Sequence, residues 1–127
     1  KREGSDVTII ATSLLVYRAL AAAEKLGAEG ISVEVVDPRT LVPLDMETVS
    51  ASVRKTGRVV IADEGHVTCG VGAEIAARIA YDCFDYLDAP IERVGTLDVP
   101  IPFSPPMENY VVPSEEDIIY AVKKVLR

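Results

Sequence analysis

Asp63-Glu-Gly-His-Val-Thr-Cys-Gly-Val-Gly-Ala-Glu-Ile75, set directly behind the apolar run Arg58-Val-Val-Ile-Ala62, decides how this chain folds. A short, wholly apolar run that passes through a glycine-punctuated loop into a helical pattern reads as a buried strand turning straight into a helix. That is the repeating unit of an open α/β sheet. In such sheets ligands and partners dock at the carboxyl ends of the strands, so the same stretch is the first candidate for a functional site.

Working outward, the unit recurs four times. Val7-Thr-Ile-Ile-Ala11 reads as the first strand, with Thr12 or Ser13 as the cap of a helix to about Leu26. Residues 31–36 alternate apolar with polar and read as a second strand; Asp45 is placed to cap a helix to Lys55, which Gly57 ends. The third strand is residues 59–62 and its helix residues 72–84, with Ile75, Ile79 and Cys83 on one face. Residues 89–95 give the fourth strand. Residues 96–113 hold Pro100, Pro102, Pro105, Pro106 and Pro113 and are expected to form neither helix nor central strand. Ser114 with Asp117 three residues on signals a capping box for the last helix, whose Glu115 and Glu116 sit at its positive end. Strands alternating with helices predict a mainly parallel sheet.

Composition narrows the function. With 127 residues, 49% of them hydrophobic and 26% charged, the chain is expected to form one globular domain, residues 1–127. No apolar run approaches the roughly 20 residues that span a bilayer. The net charge of −7 argues against nucleic acid or an anionic membrane as partner and favours a basic one. Cys69 and Cys83 do not form a CxxC pair, so neither a zinc site nor a disulfide framework is expected, and two thiols suit a reducing compartment.

The candidate chemistry of residues 63–75 weakens on inspection. Gly70-Val-Gly72 opens like a dinucleotide fingerprint, but position 75 is Ile where the third glycine belongs, and the motif follows the third strand rather than the first. The glycines read instead as a tight turn and close helix–sheet packing. His66, the sole histidine, lies three residues from Cys69 in one loop, whereas nucleophile pairs draw on distant segments. Asp63 and Glu64 are consecutive and are expected to point to opposite sides of an extended chain, and Arg39 in Asp37-Pro-Arg39 is expected to pair with one of them. The segment Val99-Pro-Ile-Pro-Phe-Ser-Pro-Pro-Met107 is an apolar surface that awaits a partner.

Taken together, Asp37-Pro-Arg-Thr-Leu-Val-Pro-Leu-Asp45, Lys55-Thr-Gly-Arg-Val-Val, Asp63-Glu-Gly, Gly70-Val-Gly-Ala-Glu-Ile75, Ala89-Pro-Ile-Glu-Arg-Val94 and Asp98-Val-Pro-Ile-Pro-Phe103 resemble a known family in order and spacing. The chain is similar, from residue 6 to residue 126, to the C-terminal domain of the beta subunit of thiamine-diphosphate-dependent 2-oxo acid dehydrogenases. The resemblance implies a three-layer α/β/α, transketolase C-terminal domain-like fold. Its sheet would have five mostly parallel strands, one of them antiparallel, the fifth expected near Val111. It implies that these residues are a fragment of a longer beta subunit, in a heterotetramer of two alpha and two beta subunits. Thiamine diphosphate and magnesium would belong to that parent enzyme, between the alpha subunit and the N-terminal domain of beta, and would not bind this domain alone.

No catalytic, cofactor-binding or metal-binding residue is therefore expected here. The expected interface residues are Arg39, Glu64 and His66 on edge loops, and Pro100, Ile101, Pro102, Phe103, Pro105 and Pro106 in the docking segment. The implied partners are the alpha subunit, a second beta subunit and the peripheral binding domain of the dihydrolipoyl acyltransferase. The implied location is the cytoplasm, or the mitochondrial matrix in a eukaryote. Where many members carry a small residue and two glycines in a row, this chain has Gly65-His66 and Cys69-Gly70. The alternatives are another transketolase-type parent, which would lack the Asp98–Phe103 motif, and an independent module binding an anion at the Gly70–Gly72 turn. Which 2-oxo acid is used stays open, and the isolated domain is expected to self-associate.

Overall fold

The computed structural model describes all 127 residues. Four parallel strands, β1 (Val7–Ala11), β2 (Val33–Val36), β3 (Val59–His66) and β4 (Glu92–Thr96), form one sheet in the order β2-β1-β3-β4. The helices are α1 (Leu14–Ala28), α2 (Met46–Thr56), α3 (Val71–Cys83), α4 (Pro105–Val111) and α5 (Glu115–Val125). All five residues of β1 are buried because both faces of the sheet are covered. On one face Ile9, Val35 and Val60 pack with Leu15, Leu26 and Ile118 of α1 and α5; on the other Ile10, Ile61 and Val36 pack with Val49, Ile75 and Ile79 of α2 and α3. Two cores, one per face, make the three layers. No helix is long and apolar enough to cross a membrane.

Local signals act as their chemistry requires. Asp45 accepts the Thr48 amide at 3.0 Å, and Gly57 closes α2 in the left-handed region at φ 68°. Ser114 and Asp117 exchange both bonds of the capping box. One buried contact is polar: Thr8 of β1 meets the hydroxyls of Ser52 and Thr56 at 2.7 and 2.8 Å, so α2 is joined to the sheet by mutually satisfied hydroxyls. Glu34 of β2 joins the same helix through Lys55 and receives the Gly4 amide at 3.1 Å.

Four expectations need correction. The sheet has four strands, not five, and no antiparallel strand; antiparallel pairing is confined to one bridge between Arg2 and Val35. The residues up to Val111, expected as the fifth strand, are helix α4. Pro105 and Pro106 occupy its first two positions, where no N–H is required and φ is already helical, so the prolines start a helix inside the segment that their number seemed to forbid. Strand β3 continues through Asp63-Glu-Gly-His66, residues first read as loop. Finally, neither Thr12 nor Ser13 caps α1. Ser13 has φ 48° and makes no capping bond; the Glu64 carboxylate accepts the Leu14 amide instead.

Candidate assembly surface

In a parallel sheet every strand-to-helix loop falls at one edge, and the crevice lies where the chain order reverses, here between the carboxyl ends of β1 and β3. That crevice is filled from within. Thr12 donates its hydroxyl to Asp63 Oδ1 at 2.8 Å, and the Leu14 amide donates to Glu64 Oε2 at 3.2 Å. The positive end of α1 is thus met by the chain's own carboxylate, where an open α/β fold could hold a ligand anion. Asp63 and Glu64 reach the same turn, not opposite sides as expected. The reason is a bulge: Ala62 pairs with Val94 and His66 with Thr96, so four steps along β3 match two along β4 and strict alternation fails.

The bulged strand anchors the loops around it. Thr96 donates to the Glu64 carbonyl at 2.6 Å, and Arg93 to the Val67 carbonyl at 2.6 Å. His66 Nε2 lies 3.1 Å from the Val99 carbonyl oxygen, and Thr68 donates to Asp98 at 2.7 Å. His66 is exposed and holds the apolar segment by its root; no hydrogen bond joins it to Cys69. Cys69 and Cys83 are free thiols, the first exposed, the second buried in the core. No three His, Cys, Asp or Glu side chains are grouped to hold a metal ion. The glycines serve contact. A Cβ on Gly70 would lie 2.0 Å from the His66 carbonyl oxygen, one on Gly95 2.8 Å from that of Gly65, and one on Gly72 3.4 Å from the Ile61 side chain.

Arg39 does not pair with Asp63 or Glu64. It takes a left-handed φ of 64° after Pro38 and turns back on Asp37, whose carboxylate it meets at 3.4 Å. The apolar segment is displayed as expected: Ile101 is half-exposed and Phe103 wholly so, at 101%. Sequence reading missed a second part of the same edge, Leu41 and Val42, the latter 93% exposed. The signal was available, since two apolar residues stand between Pro38 and Pro43 in a loop that no strand or helix absorbs. Also missed were Tyr81, Phe84 and Tyr86, exposed at the far end of α3.

Comparison with known proteins agrees with this architecture. Residues 1–118 match the family described as "Transketolase, C-terminal domain". The chain belongs to the transketolase C-terminal domain family. Among the relatives of this family member, the pyruvate dehydrogenase E1 component subunit beta of Rickettsia felis is 52% identical over 98% of the chain and 38% of its own length. The mitochondrial subunit beta-1 of Arabidopsis thaliana is 50% identical, again over 98% of the chain, and 34% of its own length. The chain therefore spans between a third and two fifths of these relatives. A solved "Split gene transketolase, inactive beta4 tetramer" superposes with a TM-score of 0.86 at 37% identity, covering 98% of this domain and 40% of that chain. A 2-oxoglutarate:ferredoxin oxidoreductase from Magnetococcus marinus shares the fold, with a TM-score of 0.65 at 16% identity over the whole domain and 19% of that chain.

Proposed function

We propose that these 127 residues are the carboxyl-terminal domain of the beta subunit of a pyruvate-type 2-oxo acid dehydrogenase, and that the domain assembles the enzyme without performing its chemistry. The observation that carries this reading is the identity of 52% across 98% of the chain to a pyruvate dehydrogenase beta subunit. Thiamine diphosphate and magnesium bind in the parent enzyme outside this domain. The reading is supported by the filled crevice, where Asp63 and Glu64 occupy the anion-attracting end of α1. Partners are the alpha subunit and a second beta subunit, in line with the tetramer formed by the solved relative. The peripheral binding domain of the acyltransferase is a further partner, for which the net charge of −7 provides attraction toward a basic surface. Arg39, Glu64, His66 and the segment from Pro100 to Pro106 belong to the assembly surface. The setting is the cytoplasm of a bacterium or the mitochondrial matrix.

The test is to produce the full beta polypeptide together with its alpha subunit and to measure decarboxylation of pyruvate with thiamine diphosphate and magnesium. Turnover that requires both subunits is expected. An assembled pair that turns over sugar phosphates and no 2-oxo acid would overturn the reading. Tight binding of thiamine diphosphate by the 127 residues alone would move the cofactor site into this domain.

A further inference from the structure

The carboxyl edge of the sheet is apolar. Leu14 stands at the first loop, Leu41 and Val42 at the second, and four more exposed apolar residues follow β4. Positions 97, 99, 101 and 103 are Leu, Val, Ile and Phe, all exposed, on a segment that bends at residues 98–99, where the Val99 amide donates to the Leu97 carbonyl at 2.7 Å. Pro100 and Pro102 between them lack N–H groups and fix φ, so the segment is stiff and cannot lengthen the sheet. His66 and Thr68 tie its root to β3 and its loop. At the opposite edge, residues 29–32 and 57–58 expose no large apolar side chain, while the turn from α3 into β4 exposes Phe84 and Tyr86. An apolar rim of this kind is a contact surface, and its rigidity lowers the cost of binding.

The path of the polypeptide says what covers it. Arg2 bridges Val35 in antiparallel sense, so the step from Arg2 back to Lys1 runs toward the carboxyl end of β2. Lys1 Nζ lies 3.5 Å from Asp37, and Lys1, Ser13, Leu14, Tyr17 and Arg39 line an open groove of about 650 Å³. Lys1 thus lies beside the apolar rim. We propose that this carboxyl edge is the seat of the remainder of the polypeptide, the part by which the relatives exceed this chain, with Phe103 as the anchoring side chain. The inference rests on the proposed function only for the existence of that remainder. A segment tethered at this edge is held at high effective concentration there, which makes the rest of the same chain a stronger competitor for the rim than a free partner.

Hydroxyl-radical footprinting read by mass spectrometry tests this, comparing the 127 residues with the full polypeptide. Phe103, Leu41 and Val42 are expected to lose their labelling in the full polypeptide at every protein concentration, and Phe103→Asp to restore labelling at Leu41 and Val42. Phe103 is wholly exposed, so that variant removes no contact inside the domain. Labelling of Phe103 and Val42 in the long chain at the same rates as in the 127 residues overturns the proposal. So does protection that disappears on dilution, which would assign the edge to a second copy. Neither readout depends on catalysis, so a failure here leaves the enzymatic reading untouched, and the reverse.

Discussion

Gly70 has an ordinary extended backbone, with φ −82° and ψ 171°, so space and not conformation requires glycine there. Any side chain would drive its Cβ to 2.0 Å from the His66 carbonyl oxygen, a backbone atom that cannot move without unseating the bulge. Its neighbour Cys69 shows the converse, a side-chain residue held at φ 56°, where glycine would be at ease. Gly70→Ala is expected to cost about 2–3 kcal/mol by overpacking. Cys69→Gly is expected to raise stability by about 0.5 kcal/mol, as relief of left-handed strain slightly exceeds the added freedom of the unfolded chain. Urea unfolding followed by circular dichroism measures both, the chain having no tryptophan. That these glycines serve packing was legible in the sequence; which carbonyl each one approaches was not, because the bulge that brings His66 over Gly70 is a tertiary event. For the same reason the partners of Asp63, Glu64 and Arg39 were misread: each finds a nearer group only once β3 has bulged and residue 39 has turned left-handed.

At the scale of elements, legibility follows from whether the signal is local. The start of α5 was readable because both halves of its box lie within four residues. Ser114→Ala removes the two bonds between the Ser114 hydroxyl and Asp117, leaves the bond from the residue 114 amide to the Asp117 carboxylate, and is expected to lower stability by about 1 kcal/mol, seen as a lower urea midpoint with unchanged slope. Helix α4 was unreadable because prolines at its first two positions carry the same signature as prolines in a loop. The second half of β3 was unreadable because Asp-Glu-Gly-His has no apolar alternation, and its strand form depends on Thr96 and Arg93. Strand β2 and helix α2 are joined by a charge whose effect is pH-dependent. Burial pushes the Glu34 carboxyl up, but hydrogen bonds from Lys55, Ser52 and the Gly4 amide outweigh it and hold Glu34 below its ordinary value. A carboxyl depressed on folding adds stability above its unfolded pKa and loses it as the pH falls through the folded one. Glu34→Gln is therefore expected to cost about 1 kcal/mol near pH 7, a difference that closes as unfolding is repeated at pH values falling below the ordinary carboxylate range.

For the whole molecule, two opposing surface properties decide behaviour in solution. A net charge of −7 on 127 residues makes identical copies repel, while the apolar carboxyl edge makes them attract. The fold class and the charge were legible because they are sums over many residues; the gathering of Leu41, Val42 and Phe103 at one edge was not, because it needs the parallel order of the strands. The balance is set by range. Repulsion between exposed charges reaches about 10 Å at 0.1 M salt and about 3 Å at 1 M, whereas apolar contact does not weaken with salt. The 127-residue chain is thus expected to self-associate reversibly, and more strongly in 1 M than in 0.1 M sodium chloride, the reverse of an assembly held by ion pairs. Phe103→Asp places a charge on the most exposed apolar side chain of the rim and is expected to return the chain to monomer at both salt concentrations, without lowering its melting temperature. Sedimentation velocity over a concentration series reads this directly. A wild-type chain that stays monomeric at every concentration and both salts would overturn self-association through the rim.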